Sequence, residues 1–476
     1  MSGATRVLSR PVGLRRRGGA RVTAASQSLE HSLLLTATLC LLAFGVVMVF
    51  SASSTTSLLG DTGDGAYYLK RTLLFGAIGL VAMHALSRRG LQLVRTVTPA
   101  LLAVSLFLLL VVMVPGVGES ANGAQRWIGA GPIQIQPSEI AKIALILYGA
   151  HLLALRPHVV ASVHEMGPYL LVTGTACGLI LVEPDLGTAL VAGFAVAALL
   201  VAGGAKIRHL ALIGAAIALI AVLAIAIEPY RQERLAGFLN PGADATGAGF
   251  QGTQASIALG SGGVFGVGIG ESVQKAFYLP EAHTDMIAAV IGEELGLLGI
   301  GILVGLYGLL AYAGLRVAQR ARDRYAKLLA AGLTTMILVQ ATLNLFAVLG
   351  LAPLTGVPLP FVSYGNSSLI VTLAAVGLVL NAARGGTAPL PATRPSPARR
   401  RPRGRRAAPP RAAPVRGRRR APSRGGRLQL VDGDRGRGAT RSSRRTKTGR
   451  GNGGHSGGRD GGARRPRARG RRRAPR

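Results

Sequence analysis

Long apolar runs are the feature of this sequence that most restricts its fold. Each run is close to the roughly 20 residues that an α-helix needs to cross a bilayer, and a mean hydropathy of +0.38 agrees with a membrane protein. The runs lie near residues 33–50, 72–86, 97–115, 138–155, 168–182, 186–204, 209–228, 286–315, 327–349 and 362–383. The sequence therefore predicts an all-α membrane protein, a polytopic bundle of about ten transmembrane helices.

The net charge of +35 is concentrated at the C-terminal end of the chain. Residues 385–476 contain 30 Lys and Arg against three Asp, with few large apolar side chains. Such a segment buries too little apolar surface to offset chain entropy. We predict a basic cytoplasmic segment at 1–32, a membrane domain at 33–384 and a disordered cytoplasmic tail at 385–476. The tail is either a solvated extension or a segment that binds anionic membrane lipids; nucleic acid is not an expected partner.

The distribution of Lys and Arg between the runs predicts the orientation. With the N-terminus inside, the inner segments hold 17 Lys and Arg, and the outer segments hold 6. Cytoplasmic loops carry the excess of positive charge, so both termini are predicted to be cytoplasmic. The polar, Gly- and Pro-rich segments then all lie outside: NGAQRWIGAGPIQIQPSE, EPDLG, a large extracytoplasmic loop at 229–285, and PLTGVPLPFVSYGNSS. Loops gathered on one face favour an extracytoplasmic site.

Carboxylates at the start of the eighth run are candidates for chemistry. In LPEAHTD, Pro280 suits a first helical turn, and Glu281 and Asp285 would then share a helix face. A carboxylate that a helix N-terminus favours but burial disfavours is a candidate general base. The alternative is that these acids cap the helix. Glu293 and Glu294 lie deeper in the run, and they either contribute to a site or hold helices in register.

Other polar residues allow a structural and a functional interpretation. Trp127, the only tryptophan in the chain, is either an interfacial anchor or part of a site, and Arg126 beside it could meet a phosphate. Glu139 and Lys142 are spaced for a structural pair. The segment ALGSGGVFGVGIGESVQK fits no G-x-G-x-x-G register, which excludes a nucleotide site of that type. It is either a re-entrant loop or a set of backbone amides for an anionic ligand.

Five ordered segments together resemble the SEDS family (shape, elongation, division and sporulation), and its division members most. They are MVFSASS, NGAQRWIGAGPIQIQPSEIAK, EPDLGTAL, ALGSGGVFGVGIGESVQKAFYLPEAHTDMIAAVIGEELG and PLTGVPLPFVSYGNSS. The resemblance covers residues 33–384 and all ten runs. Two positions depart from the family's pattern: Glu271, where Asn is usual, and Asn366, where a second Gly is usual.

The resemblance implies a peptidoglycan glycosyltransferase that polymerises lipid II at the outer face of the bacterial cytoplasmic membrane, at the division septum. It implies a class B penicillin-binding transpeptidase and other membrane proteins of the division complex as partners. The family's essential aspartate falls on Asp285 and its functional loop tryptophan on Trp127.

On this reading, Arg126, Lys275 or a divalent cation such as Mg²⁺ or Mn²⁺ would offset the charge of the leaving pyrophosphate. Glu281 and His283 would orient or tune Asp285. A lipid II flippase, a non-catalytic scaffold of the division machinery and a role in elongation are the alternatives.

Overall fold

The computed structural model describes residues 16–60, 63–121, 124–130, 133–240, 247 and 249–385. Residues 1–15 and the predicted tail from residue 386 onward lie outside the described residues. The described chain forms α1 (Arg16–Leu59), α2 (Tyr67–Arg88), α3 (Leu91–Val112), β1 (Gly118–Ala121), β2 (Ala124–Ala130), β3 (Ile133–Ile135), α4 (Pro137–Leu155), α5 (Val163–Val182), α6 (Leu186–Gly203), α7 (Ile207–Ile227), α8 (Pro229–Leu239), α9 (Phe250–Gly262), α10 (Ile287–Arg320), α11 (Arg324–Val348) and α12 (Asn366–Ala383).

Ten of these helices are long and apolar enough to cross a membrane, and α8 and α9 are the two that are not. The spanning part of α1 is Leu29–Leu59. Each predicted run overlaps one spanning helix, so the prediction of a ten-span helical bundle is confirmed. The differences lie at the ends, as where α10 continues to Arg320. Backbone hydrogen bonding extends a helix into polar residues that an apolar run does not include.

Local sequence explains several helix ends. Pro137 and Pro229 occupy the first turn of α4 and α8, where a missing N–H leaves no bond unmade. The Asp185 carboxylate caps α6 by accepting a hydrogen bond from the Thr188 N–H at 3.0 Å. At its other end, α6 stops at Gly204, whose φ of 95° is the left-handed conformation common after a helix.

The spanning helices are buried to very different degrees. In an apolar 18-residue stretch of α12, 83% of the residues are buried, whereas in the corresponding stretch of α7 only 11% are. α12 packs most extensively against α2, and α1 against α10. A methyl group at Gly377 of α12 would lie 2.5 Å from the Met83 carbonyl oxygen of α2, so a larger residue would separate these helices. α12 is therefore central, and α7 lies at the periphery.

The connections that follow α3, α5, α7 and α11 lie at the same end of the bundle, because two spans separate each from the next. We call this the site end. It carries the antiparallel sheet β1-β2-β3, in which Glu119 pairs with Trp127, together with α8, α9 and the segment 349–365. The sequence had predicted a loop where this sheet lies.

The glycine-rich segment folds back against an interruption in α10. Gly296 has φ 64° and ψ −160° inside that helix. The N–H groups of Val267 and Gly268 donate to the carbonyl oxygens of Glu293 and Glu294 at 2.9 and 3.0 Å. These two amides pair with protein carbonyls and are therefore not available to an anionic ligand. The glycines allow two backbones to meet at the break in α10.

Candidate functional site

Asp285 lies at a cavity of about 500 Å³ at the site end. The cavity is lined by residues of the sheet, the α5–α6 turn, α8, α9, the segment before α10 and the segment 349–365. Among the described residues, its charged lining consists of four acids and two bases: Glu119, Asp185, Glu281, Asp285, Arg126 and Arg234. Residues from Glu119 to Ser368, far apart in the sequence, thus meet around one polar cavity.

The backbone of Asp285 is fixed from two sides. Its carbonyl oxygen accepts a hydrogen bond from Nδ2 of Asn344 at 2.7 Å, and the same amide donates to the Val357 carbonyl at 2.9 Å. Asn344, on α11, is buried. The Asp285 side chain is only 7% exposed, and its Oδ1 lies 3.4 Å from the Thr284 hydroxyl, a long hydrogen bond. The carboxylate is therefore held at the cavity wall with few competing partners.

The environment of Asp285 makes it a stronger base than an ordinary aspartate. Burial, and then the negative charge of Glu281, raise the pKa of Asp285 to about 6, while the positive charge of Arg234 acts in the opposite direction. At pH 7 the group is mainly ionised and holds a proton more readily than a solvated carboxylate. This combination suits a general base.

Glu281 reaches the cavity without the helical turn that the sequence predicted. The segment 279–286 is a series of turns, Glu281 has φ 55°, and α10 begins at Ile287. The Glu281 carbonyl accepts the N–H groups of Thr284 and Met286, and its carboxylate accepts the Thr284 hydroxyl at 2.6 Å. The prediction of a first turn at Pro280 is wrong, because a positive φ is incompatible with an α-helix. Glu281 and Asp285 nevertheless line the same cavity.

Arg126 and Trp127 both line the cavity from β2. The Arg126 guanidinium donates from Nε to the Glu183 carbonyl at 3.0 Å and from Nη2 to the Pro184 carbonyl. These bonds join the sheet to the α5–α6 turn. The adjacent Asp185 accepts a hydrogen bond from Gln136 at 3.1 Å, which ties that turn to the start of α4. Arg126 thus combines a structural contact with a place at the cavity wall.

Glu183 is a buried acid next to this contact. Its side chain is buried, and neither carboxyl oxygen has a hydrogen-bond partner among the described residues. Burial and the charge of Asp185 raise the pKa of Glu183 to about 8, with Arg126 opposing them. Glu183 is therefore mainly protonated at neutral pH, which removes one negative charge from beside the cavity.

Lys275 does not lie in the cavity, and the prediction that it faces the leaving group disagrees with the structure. Its ammonium group is buried and bonds the Glu294 carboxylate at 2.7 Å, the Gly270 carbonyl at 2.7 Å and the Ser51 hydroxyl at 3.2 Å. The segment 263–275 folds onto α10 and carries the lysine inward. Ion pairing with a buried glutamate fixes it there.

Glu293 and Glu294 both have structural partners. The Glu293 carboxylate accepts the N–H of Val273 at 3.0 Å and the hydroxyl of Ser272. Glu294 pairs with Lys275 and accepts a hydrogen bond from Ser51 of α1 at 2.7 Å. Of the two interpretations left open by the sequence, these contacts favour the structural one. The acids hold the glycine-rich segment and α1 against α10.

The predicted pair of Glu139 and Lys142 is present, with 2.9 Å between Oε1 and Nζ. The ammonium group also bonds Oε1 of Gln340 on α11 at 2.8 Å, and the Gln340 amide donates to the Pro358 carbonyl at 3.0 Å. Pro358 lines the cavity. Through Gln340, the buried Glu139–Lys142 pair therefore supports the part of the cavity wall that Pro358 forms.

His283 packs behind the cavity wall. Its ring lies 4.2 Å from the ring centroid of Tyr68 and 5.6 Å from that of Tyr364, and its carbonyl accepts the Tyr364 N–H at 2.9 Å. Burial lowers the pKa of His283, against the opposing charge of Glu281, so the ring is neutral at pH 7. Its contacts position Tyr364, which lines the cavity. They do not include the Asp285 carboxylate.

Sequence reasoning missed Arg234, Asp185 and Tyr364 as lining residues. Asp185 and Tyr364 stand inside the quoted motifs EPDLG and FVSYGNSS, so each motif carried a signal that was not assigned to a side chain. Arg234 had no comparable signal. It was one of six basic residues counted on the outer side.

A metal site built by the protein alone is not found in the described ranges, which contain no group of three or more His, Cys, Asp or Glu side chains that could hold an ion. Glu281 and Asp285 do supply two neighbouring carboxylates. Mg²⁺ in phosphate chemistry is commonly held by one or two carboxylates together with substrate phosphates. The donor set fits a cation that binds with its substrate.

Comparison with protein families gives one match that covers most of the chain. The model of the FtsW, RodA and SpoVE family, described as a cell cycle protein, matches residues 31–387. Probable peptidoglycan glycosyltransferase FtsW of Trichlorobacter lovleyi is 41% identical over 353 residues, 74% of this chain and 92% of the relative. Stage V sporulation protein E of Bacillus subtilis is 40% identical over 354 residues, 74% of this chain and 96% of the relative.

Solved structures give the same result. A chain of a peptidoglycan synthase complex that coordinates polymerization and crosslinking matches with a TM-score of 0.61 and 33% identity, over 74% of this chain and 96% of that one. The rod shape determining protein RodA of Thermus thermophilus matches with a TM-score of 0.55 and 32% identity, over 74% and 95% of the two chains.

Proposed function

The chain belongs to the FtsW, RodA and SpoVE family, which is the SEDS family that its motifs resemble, and we propose that it is a peptidoglycan glycosyltransferase of cell division. It polymerises lipid II into glycan strands. The similarity to proteins named FtsW supports both the reaction and the division role. Residues 31–387, which the family model covers, contain every residue of the site.

The observation that carries the proposal is the position of Asp285. A carboxylate with a raised pKa lies buried at a polar cavity, beside the ends of membrane-spanning helices. Lipid II has a polyprenyl tail that belongs in the bilayer and a pyrophosphate-linked sugar that belongs in water. A site for it must straddle this boundary, and a cavity beside the ends of membrane-spanning helices is placed to do so.

In the proposed reaction, Asp285 accepts the proton of the acceptor sugar hydroxyl as its oxygen attacks the anomeric carbon of the donor. The bond between that carbon and the pyrophosphate oxygen breaks, and the electron pair leaves with the polyprenyl pyrophosphate. One glycosidic bond forms and one phosphoester bond is lost, so atoms and charges balance. General base catalysis of this kind contributes about 10²–10⁴-fold to a rate.

The arginines of the cavity offset the charge that develops on the leaving group. A divalent cation such as Mg²⁺ or Mn²⁺ that binds with the substrate phosphates would have Glu281 as its carboxylate ligand and would supply further charge neutralisation. Trp127 presents a large, partly exposed ring at the cavity wall. Rings of this kind pack against bulky substrates, and Trp127 is proposed to contact the sugar.

The protein is a multi-pass membrane protein, and we place it in the bacterial cytoplasmic membrane at the septum, with both termini cytoplasmic and the site end outside. The asymmetry of 17 inner to 6 outer basic residues supports this orientation. The similar chain in a peptidoglycan synthase complex supports a class B penicillin-binding transpeptidase as partner. Other membrane proteins of the division complex are further proposed partners.

Polymerisation of lipid II in detergent tests the proposal against its alternatives. A flippase needs a membrane to cross, and a scaffold needs no chemistry, so neither makes polymer from lipid II in micelles. The purified chain, together with a class B partner whose transpeptidase is blocked, is expected to convert lipid II to long glycan strands on a gel. An intact complex that makes no polymer would favour transport or scaffolding.

A further inference from the structure

The leaving group of the proposed reaction needs a positive partner within reach of Asp285. Lys275 is paired with Glu294 outside the cavity. Of the two arginines in the described cavity lining, Arg234, on α8, is the one that acts on the Asp285 carboxylate and lies with it near Gly356. We propose that Arg234 binds the pyrophosphate of the lipid-linked substrate and directs the scissile bond toward Asp285. This inference rests on the proposed function.

The position of the guanidinium is fixed by the segment 349–365. Nη1 of Arg234 donates to the Leu354 carbonyl at 3.0 Å. A methyl group built on Gly356, two residues further on, would lie 3.8 Å from that Nη1 and 4.0 Å from Oδ2 of Asp285. These two distances limit the separation of the guanidinium and the carboxylate to less than about 8 Å. Gly356 leaves the space between them open.

This separation suits a displacement at one carbon. The attacking and leaving oxygens lie on opposite sides of the anomeric carbon, and each must be within about 2.7–3.0 Å of its protein partner. A base at one end and a phosphate-binding cation at the other therefore need to lie several ångströms apart and face each other. Arg234 and Asp285 both lie within about 4 Å of the position that a methyl group on Gly356 would take, so one bound substrate can reach both groups.

Arg234 also lines a second cavity, of about 310 Å³, which α8, α9 and the end of α11 enclose. Arg234, Gln251 and Pro280 contribute to both cavities and form the wall between them. Phe238, on the same helix as Arg234, lines the second cavity. A charged group at the junction of two spaces is placed to hold the pyrophosphate that joins two chemically different parts of one substrate.

Charge and shape agree with this assignment. A guanidinium offers paired N–H donors that match the oxygens of a phosphate. The described lining contains more acids than bases, so an anionic substrate depends on its few cations. The charge of Arg234 also acts on Asp285, where it opposes the effects of burial and Glu281. Arg234 thus interacts with the leaving pyrophosphate and also affects the Asp285 carboxylate, which makes it a positioning residue for the reaction.

Binding can be measured without turnover, because Trp127 lines the cavity and is the only tryptophan in the chain. The full chain in detergent is titrated with a polyprenyl pyrophosphate and with the matching monophosphate, and its tryptophan fluorescence is followed. We expect wild type to prefer the pyrophosphate. Arg234→Gln should weaken pyrophosphate binding by about 10- to 100-fold, the usual effect of a charged hydrogen bond, and should remove the preference.

Arg231→Gln is the matched control. Arg231 lies on the same helix and also bonds backbone carbonyls, those of Ala224 and Leu181 at 2.9 and 2.8 Å. It is not part of the cavity lining. The Arg231→Gln variant should bind the pyrophosphate as wild type does. Arg234→Lys should recover part of the affinity that Arg234→Gln loses. Equal losses in Arg231→Gln and Arg234→Gln, or an Arg234→Gln protein with wild-type affinity, would overturn the inference.

Polymerisation provides a second readout. Arg234→Gln should slow glycan formation from lipid II, and Arg231→Gln should leave it close to the wild-type rate. If wild type bound the pyrophosphate but made no polymer, the proposed function would fail while the role of Arg234 in binding stood, so the two failures are distinguishable.

Discussion

Asp285 illustrates how a residue's surroundings decide its chemistry. The same carboxyl group in water would be a weak base at pH 7. At the cavity wall, burial and Glu281 raise its pKa to about 6. The cost of desolvating a charge is what raises its affinity for a proton. Asp185, another acid of the cavity lining, accepts hydrogen bonds from the Gln136 side chain and the Thr188 N–H.

Glu281→Gln tests this electrostatic coupling. The substitution removes a negative charge beside Asp285 and keeps an oxygen that can accept the Thr284 hydroxyl. The pKa of Asp285 should fall, because the charge of Glu281 raises it. A general base works when deprotonated, so polymerisation should persist to lower pH. Rates of lipid II polymerisation from pH 5 to 8 measure the shift; an acid limb unchanged or moved upward would contradict it.

At the residue scale the sequence supported part of the site. Motif resemblance assigned roles to Asp285 and Trp127, and both line the cavity. Arg234 could not be found this way, since its proximity to Asp285 arises only when α8 folds against the segment 349–365. Lys275 was misplaced for a related reason: its neighbours in sequence gave no sign that the glycine-rich segment would turn it toward Glu294.

Among the elements, α10 and the segment 263–275 act as one unit. The helix breaks at Gly296, and the segment fills the break with backbone hydrogen bonds. Glu293 and Glu294 then fasten the segment from the helix side. The preceding turns carry Glu281 and Asp285, so this unit sets where the two carboxylates enter the cavity.

Gly296→Ala should weaken this unit. Its φ of 64° and ψ of −160° belong to a region that is nearly exclusive to glycine, and a methyl group there would lie 2.5 Å from the Gly266 nitrogen. The strain is worth about 1–3 kcal/mol. Gly301→Ala on the same helix meets no atom within 4 Å and should be neutral. The thermal unfolding midpoints of the Gly296→Ala and Gly301→Ala variants are measured in detergent. Equal midpoints would refute the strain proposed at position 296.

The pair of Lys275 and Glu294 should act on stability and not on substrate. Glu294→Gln leaves a buried lysine without its partner charge, which typically costs about 3–5 kcal/mol. Replacing both residues by methionine should cost less, because no charge then remains buried. Unfolding midpoints and the polymerisation rate per folded molecule separate the effects. A double variant that folds but has no activity would indicate that Lys275 takes part in the reaction.

The elements were predicted unequally well. Apolar length alone identifies the ten spans, because a bilayer requires each of them to be long and apolar. The sheet β1-β2-β3 was missed, since its strands are 3 to 7 residues long and show no extended alternation. The Asn-Gly pair at 122–123 in the sequence, which favours hairpin turns, was the one signal available.

For the whole molecule, the arrangement of connections explains why the site lies at one end. The connections rich in basic residues and those that contain the polar, Gly- and Pro-rich motifs alternate along the chain. One end of the bundle therefore carries the positive charge, and the other carries the cavity. The central helix α12 contributes Asn366 and Ser368 to the cavity lining, whereas the peripheral helix α7 contributes no residue to it. Orientation in the membrane then decides which compartment the cavity faces.

Cysteine labelling tests that orientation. With Cys40 and Cys177 replaced by alanine, Glu233→Cys places a thiol on an exposed position of α8, and Gln92→Cys places one at the opposite end of the bundle. A membrane-impermeant thiol reagent added to intact spheroplasts should label position 233 and spare position 92, because the basic residues favour the cytoplasmic side. The reverse labelling pattern would invert the topology.

The central claim is that Asp285 is the general base of a lipid II polymerase, and one comparison tests it most directly. Wild type, Asp285→Asn and the control Asp64→Asn, whose exposed carboxylate pairs with Lys70, are each purified with the transpeptidase-blocked partner. Initial rates of glycan formation from lipid II in detergent are then measured. If Asp285 is the base, Asp285→Asn should polymerise lipid II about 10²–10⁴-fold more slowly than wild type, with partner binding intact and Asp64→Asn close to the wild-type rate. An Asp285→Asn complex that polymerises lipid II at the wild-type rate would contradict it.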